Sequence, residues 1–438
     1  MLAIGAAVFI ACILSAGGCG RRGQVREEGT LDVALFKGGY GIDFFEKAAR
    51  EYEAAHKGVR IKVWGNPRVW EQLRPLFVAG NPPDLTWPGW GMDYWPLVYE
   101  NQVVPLDEYL AEPPYDGHGV WRDTFEPSLL RLGQYDGKQW MLPYFFSMNG
   151  WWYNKRLFEA HGWTPPRTWD DLLALCPKIK AAGIAPITYQ GKYPYYALSG
   201  FIYPWAISHG GIEVFDNAQN LVPGAWRSPS ILTAARMVKQ LMDLGCFQKG
   251  ANGMSHTESQ MEFITGRAAM IPCGTWLYSE MREQLPPADK FEMAFFLPPV
   301  LRDGKGDPTA LSIGIEPWVI PTKGRNRRLA VDFYKYLTSV PKARQFVEEK
   351  GTLMSIKGTD TAKKPPYLEA PATAFKNSKT VYSADYIQWY PALGKAAQDA
   401  MAALMTGEAT PERFVERLEE AAERVRQDAT IPKHRVER

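Results

Sequence analysis

The sequence predicts an α/β protein in which parallel strands are covered by helices, and three observations carry that expectation. Strand-like and helix-like segments alternate from Leu31 onward. They follow one another closely enough for β-α-β units rather than hairpins. The chain has 438 residues, sufficient for about two to three domains with cores of their own.

Leu31, Val33 and Leu35 alternate with other residues, the period of a strand, up to the turn Lys37-Gly38-Gly39-Tyr40. Ile42, Phe45, Ala48, Tyr52 and Ala55 then fall on one helical face, and Gly58 stops the helix. Val59, Ile61 and Val63 predict the next strand. Asp84-Leu85-Thr86-Trp87 predicts a third, ending at Pro88-Gly89-Trp90-Gly91. Open parallel sheets hold ligands at the carboxyl ends of their strands, which makes Lys37, Tyr40, Trp87 and Trp90 candidate contacts.

A second α/β unit is expected after Trp140-Met141-Leu142-Pro143-Tyr144. Thr168 and Asp171 have the spacing of a capping box, Gly183 ends that helix, and Pro177 within it predicts a kink. Ser228-Pro229 opens a helix with Leu232, Ala235, Val238 and Met242 on one face, closed by Gly245. Ala268 to Pro272 reads as a strand, and helices are expected from Arg327 to Thr338 and again after Pro341. A long charged helix from Pro411 turns Phe414, Leu418, Ala421 and Val425 inward.

Composition narrows the function. Fifty basic against 48 acidic residues leave a formal charge of +2, no electrostatic footprint for nucleic acid. Phosphate loops, serine elbows and dinucleotide fingerprints are missing; Gly39-Tyr40-Gly41 lacks a third glycine. The six His are scattered and no Cys-x-x-Cys occurs, so neither a metal nor a cofactor is expected. Cys176, Cys246 and Cys273 have no disulfide-framework spacing and read as buried thiols. What recurs is aromatic: Gly150-Trp151-Trp152-Tyr153-Asn154, Gly191-Lys192-Tyr193-Pro194-Tyr195-Tyr196, Gly274-Thr275-Trp276 and Gln388-Trp389-Tyr390-Pro391, all read as turns. Sugars offer flat C–H faces to such rings and hydroxyls to polar neighbours.

The apolar start, Met1 to Gly18, is shorter than the roughly 20 residues a bilayer span needs and reads as a secretory leader. Ser15-Ala16-Gly17-Gly18-Cys19 resembles the lipobox of bacterial lipoproteins. Cys19 would then be lipidated and residues 19–29 would form a tether.

Taken in order, several phrases resemble the extracellular solute-binding proteins of sugar importers, the broad maltose-binding-protein-like family. They are Pro82-Pro83-Asp84-Leu85, then Trp152-Tyr153-Asn154-Lys155 with Thr168-Trp169-Asp170-Asp171. Gly266-Arg267-Ala268-Ala269-Met270 and Ala330-Val331-Asp332-Phe333-Tyr334 follow. Ile179 to Ile187, Gln190-Gly191-Lys192-Tyr193 and Gly314-Ile315-Glu316-Pro317-Trp318 are similar to the subgroup that binds N-acetylglucosamine and chitobiose. The resemblance implies a two-lobed periplasmic-binding-protein fold with hinge-crossing segments and a ligand cleft between lobes. One lobe would take 30–142 plus 298–347, the other 143–297 plus 348–438. It further implies a site drawn from Lys37, Tyr40, Trp87, Trp90, Gln190, Tyr195, Tyr196, Trp276, Glu316 and Trp389. The implied protein is an exported, lipid-anchored monomer in the periplasm or at the outer face of the cytoplasmic membrane. It would pass a small carbohydrate to ABC transporter permease subunits and would not be an enzyme. A secreted, membrane-anchored carbohydrate hydrolase or an adhesive lipoprotein would share the leader and the aromatic content.

The anchor has a direct check. Cys19→Ser should yield a chain that no longer partitions into detergent, with no acyl mass at its N-terminus; a wild-type N-terminus without acyl mass refutes lipidation.

Overall fold

The structure, a computed structural model, describes residues 29–436; the leader, Cys19 and the tether to residue 28 lie outside the described residues. Strands β1 (Thr30–Phe36), β2 (Arg60–Asn66) and β3 (Leu85–Trp87) form a parallel sheet in the order β2-β1-β3. The helix Asp43–Ala55 covers it with Phe44, Phe45, Ala48, Ala49 and Tyr52 buried, one apolar stripe as the spacing predicts. A small hairpin, β4 (Gln134–Tyr135) and β5 (Lys138–Gln139), closes this part of the chain.

Strand β6, Leu142–Asn154, organises the rest. It is the spine of a seven-stranded mixed sheet completed by β7 (Ala185–Ile187), β8 (Ala268–Gly274), β9 (Met293–Phe296), β10 (Leu311–Trp318), β11 (Leu353–Met354) and β12 (Val381–Tyr382). Leu142, Tyr144 and Phe145 belong to the same apolar core as β1 and β3. Phe146, Met148 and Trp152 belong to another, with Ile271 and Ile313. The strand therefore crosses from one lobe to the other, and β10 runs back antiparallel beside it. The expected turn at Gly150-Trp151-Trp152-Tyr153-Asn154 is strand interior: Trp151 and Trp152 are fully buried between β8 and β9.

The caps read from the sequence form. Thr168 Oγ1 accepts from the Asp171 amide at 3.2 Å while Asp171 Oδ2 accepts from the Thr168 amide at 2.9 Å. The helix they start, Trp169–Ala181, continues through Pro177. Ser228 caps Pro229–Asp243, and the last helix, Pro411–Gln427, buries Phe414, Leu418, Ala421 and Val425. Cys176, Cys246 and Cys273 are buried free thiols.

The contacts shift the expected lobe boundaries. Residues after 298 remain with the second lobe: Trp205 Nε1 donates to the Pro299 carbonyl at 3.0 Å and the Leu301 amide to Ser208 Oγ at 2.8 Å. The return to the first lobe is β10 itself, which begins at Leu311. At the other end the first lobe runs past 347, because Ser355 Oγ donates to the Pro143 and Tyr144 carbonyls and the Lys357 amide to Thr124 O.

The first lobe is tied together by one carboxylate. Fully buried Asp84 accepts from the Asp32 amide at 2.8 Å and from the Arg325 and Asn326 amides at 2.6 and 3.1 Å. It thus joins β1 to the segment that returns from β10. Asp84→Ala strands these buried donors and should cost about 3 kcal/mol of stability, read in urea as a lower midpoint at unchanged slope.

Candidate functional site

The site forms where three groups of residues meet: the loops after β1 and β3, the crossing strands, and the start of the second lobe's helices. In β10 the register slips between Ile315 and Pro317. Ile315 lies opposite Phe146 and Pro317 opposite Pro143, so Glu316 alone spans the bulged Tyr144 and Phe145 of β6 and has no register partner of its own. Its Oε2 accepts from Trp87 Nε1, across from the other lobe's sheet, at 2.8 Å. Trp87 itself is boxed in by Phe36, Phe145 and Trp318 and is only 1% exposed. Its role is to hold the carboxyl in place, not to offer a stacking face.

Around Glu316 stand phenols from both lobes. Tyr40 and Tyr94 approach from the first lobe and Tyr195 from the second, all close enough to feel its charge. The Tyr195 hydroxyl lies beside the Asn149 side chain of β6, and burial pushes it up to about 12. Desolvation also raises the Glu316 carboxyl to about 8, opposed by the indole hydrogen bond. Part of Glu316 remains accessible, yet protein surrounds it closely enough for the neutral acid to be favoured.

A second layer extends from Tyr195. Tyr196 lies edge-on to Tyr195 at 6.0 Å and to Trp276 at 6.2 Å. Trp276 is partly exposed and packs against the cores of both lobes. Its ring folds back over Gly274, where a Cβ would stand 2.0 Å from it, so only glycine fits. Glu280, one turn on, accepts from Gln260 Nε2 at 2.7 Å and is raised by burial. Gly39 of the first lobe comes up against it.

The remaining candidates are spread out. Lys37 and Trp90 are exposed at the rim, Trp90 by 65%, and Trp90 leans on Trp70 at 4.9 Å. Gly89, at φ +75°, lets this turn fold onto the Phe36 ring. Gln190 is fully buried, its Nε2 donating to the Pro272 carbonyl at 3.0 Å, which makes it a brace for β8. Trp389 is buried at 9% exposure, with one face covered by the parallel His434 ring at 4.9 Å. Asn149, Tyr94, Glu280 and His434 were missed from sequence. Asn149 in the aromatic run before Gly150 carried the one usable signal.

A cavity of about 840 Å³ lies on the opposite face of β6, lined by Phe146, Arg131, Leu353 and Phe375. Its walls carry no Trp or Tyr, which sets it apart from the aromatic cleft. Among the described residues no cluster of His, Cys, Asp or Glu could hold a metal, and no helix is long and apolar enough to cross a membrane.

The family model for bacterial extracellular solute-binding proteins matches residues 38–343. The chain belongs to that family. It is 29% identical over 333 residues to the diacetylchitobiose binding protein NgcE of Streptomyces coelicolor, covering 75% of this chain and 70% of that one. It is 27% identical over 344 residues to a multiple sugar-binding protein of Streptococcus mutans, covering 77% and 78%. A solved chitin oligosaccharide binding protein superposes with a TM-score of 0.74 at 22% identity, over 90% of this chain and 98% of that one, and has the same two-lobed fold.

For a family member whose lobes meet at Glu316, the raised carboxyl has a definite consequence. Below about pH 4.5 Glu316 is protonated folded or unfolded; as pH rises toward about 8 only the unfolded chain releases the proton. Glu316 therefore subtracts stability progressively across that window, and fully above it. Without ligand, Glu316→Gln should flatten this part of the pH–stability curve and raise the melting temperature most above pH 8. Curves that stay parallel refute the assignment.

Proposed function

We propose that this protein is the ligand-capturing component of an ABC-type carbohydrate importer and that its ligand is N-acetylglucosamine or chitobiose, held between the lobes. One observation carries the reading: the Glu316 carboxyl, fixed by Trp87, acts on Tyr195, from which the partly exposed rings of Tyr196 and Trp276 continue edge to face. A neutral acid both donates to and accepts from hydroxyls, and the rings supply flat apolar faces. The name of the Streptomyces coelicolor relative supports the amino-sugar choice. Ligand would favour the closed arrangement of the lobes, which docks on the permease. Family membership supports export, and we place the protein at the outer face of the cytoplasmic membrane or in the periplasm, as a monomer anchored through Cys19.

Calorimetry with N-acetylglucosamine, chitobiose and maltose tests the ligand. Trp276→Ala should weaken amino-sugar binding by about 2 kcal/mol, roughly thirtyfold, in protein that still unfolds cooperatively. Binding of maltose alone refutes the amino-sugar reading, and release of monosaccharide from chitobiose would make the protein a hydrolase.

A further inference from the structure

The chain beyond the last helix is tied down residue by residue to the second lobe. Thr430 turns back on Asp428, whose Oδ1 accepts from its amide at 2.9 Å and its hydroxyl at 2.6 Å. The His434 amide donates to the Tyr390 hydroxyl at 2.8 Å, and the Val436 amide to Asn220 Oδ1 at 2.7 Å. With its backbone held on both sides, His434 extends its imidazole away from these anchors.

The ring enters a cage built from both lobes. Second-lobe Trp389 lies parallel to it, at 7° and 4.9 Å between centroids. Tyr135 of the hairpin is 4.5 Å away, and Trp95 and Tyr99, from the short helix Tyr94–Tyr99 after β3, are at 5.0 and 5.5 Å. The imidazole Nε2 has no hydrogen-bond partner, and burial pushes its pKa down to about 3. The phenols of Tyr99, Tyr135 and Tyr390 are the titratable groups in ring contact with it. At neutral pH the ring is thus an uncharged plate. The cage is joined to the cleft through the chain: Trp95 follows Tyr94, which feels the charge of Glu316, and Trp389 lies one turn beyond Asp385, which acts on Tyr195.

We propose that His434 is a positioning residue of the ligand cleft, a clasp that fixes the Trp389 ring and holds the two lobes together from the C-terminal tail. The proposal rests on the capture of sugar between the lobes only for its effect on affinity; its effect on lobe spacing is independent of the ligand. The His434 side chain carries the tail into ring contact with Trp95, Tyr99 and Tyr135 of the first lobe. Removing it opens a gap between second-lobe Trp389 and first-lobe Trp95, Tyr99 and Tyr135 and leaves Trp389 without the plate stacked on it.

The test uses the full chain with His434→Ala and the flat-ringed His434→Phe. In His434→Ala, chitobiose affinity should fall about tenfold through faster dissociation. The radius of gyration of the sugar-free protein in solution scattering should increase. In His434→Phe both should stay near wild type, because the stacking plate is kept; a general loss of folding would not be rescued in this way. Wild-type affinity and scattering in His434→Ala overturn the clasp, as does failure of His434→Phe to restore either property. If wild type binds no sugar, the ligand reading fails while scattering still decides the clasp: expansion in His434→Ala alone supports it, and equal radii refute it.

Discussion

Two lobes must share a sheet without fusing into one domain, and the pairing of β6 with β10 is where that constraint is met. β6 is buried almost throughout its length, its first residues in the core of the first lobe and the remainder in that of the second. Antiparallel β10 makes the reverse passage, Leu311 and Ile313 in one core and Trp318 in the other. Everything at the cleft is referred to this pair. The loops after β1 and β3 approach it from one side, and Tyr195 and Trp276 from the other. Side chains alternate across a strand, so β6 offers one face to the cleft and the other to the core around Phe146 and Met148.

The electrostatic character of the cleft floor follows from that geometry. Burial between two cores disfavours charge, and the Glu316 carboxyl is met by the neutral Trp87 indole, which donates a hydrogen bond to it. The surrounding phenols are shifted upward for the same reason. At neutral pH the surroundings of Glu316 are therefore rich in hydrogen-bonding groups and poor in charge. Charged side chains such as Lys37 are left at the rim.

Much of the fold was legible because local signals agree with it. Leu31, Val33 and Leu35 recur with a strand's period of two, Thr168 and Asp171 close a capping box, and Ser228-Pro229 begins a helix where both residues are favoured. β6 was misread as a turn at Gly150 to Asn154 because a strand buried on both faces has no period-two pattern to show. The return boundary was placed early because residues 299–310 follow the second lobe by backbone and side-chain bonds, which leave no periodic trace. Within the site, turn-flanked aromatics such as Trp87 and Trp276 were visible as a set. Their division of labour was not: whether a ring is boxed in like Trp87 or open like Trp276 depends on neighbours distant in sequence. The partnership of Trp389 with His434 spans a long stretch of chain ending in an irregular tail, beyond the reach of any local pattern.

The bulge of β6 opposite Glu316 separates two burdens that a regular strand would load on the same residue. At a paired position, any change of side chain must also suit its cross-strand neighbours and the ladder. Glu316 is excused from the ladder, since the register already slips beside it. Its neighbours Ile315 and Trp318 keep the strand in place on either side. The side chain at this one position therefore answers to Trp87 across the lobe and not to strand register, and the two crossing strands keep their pairing whatever it carries.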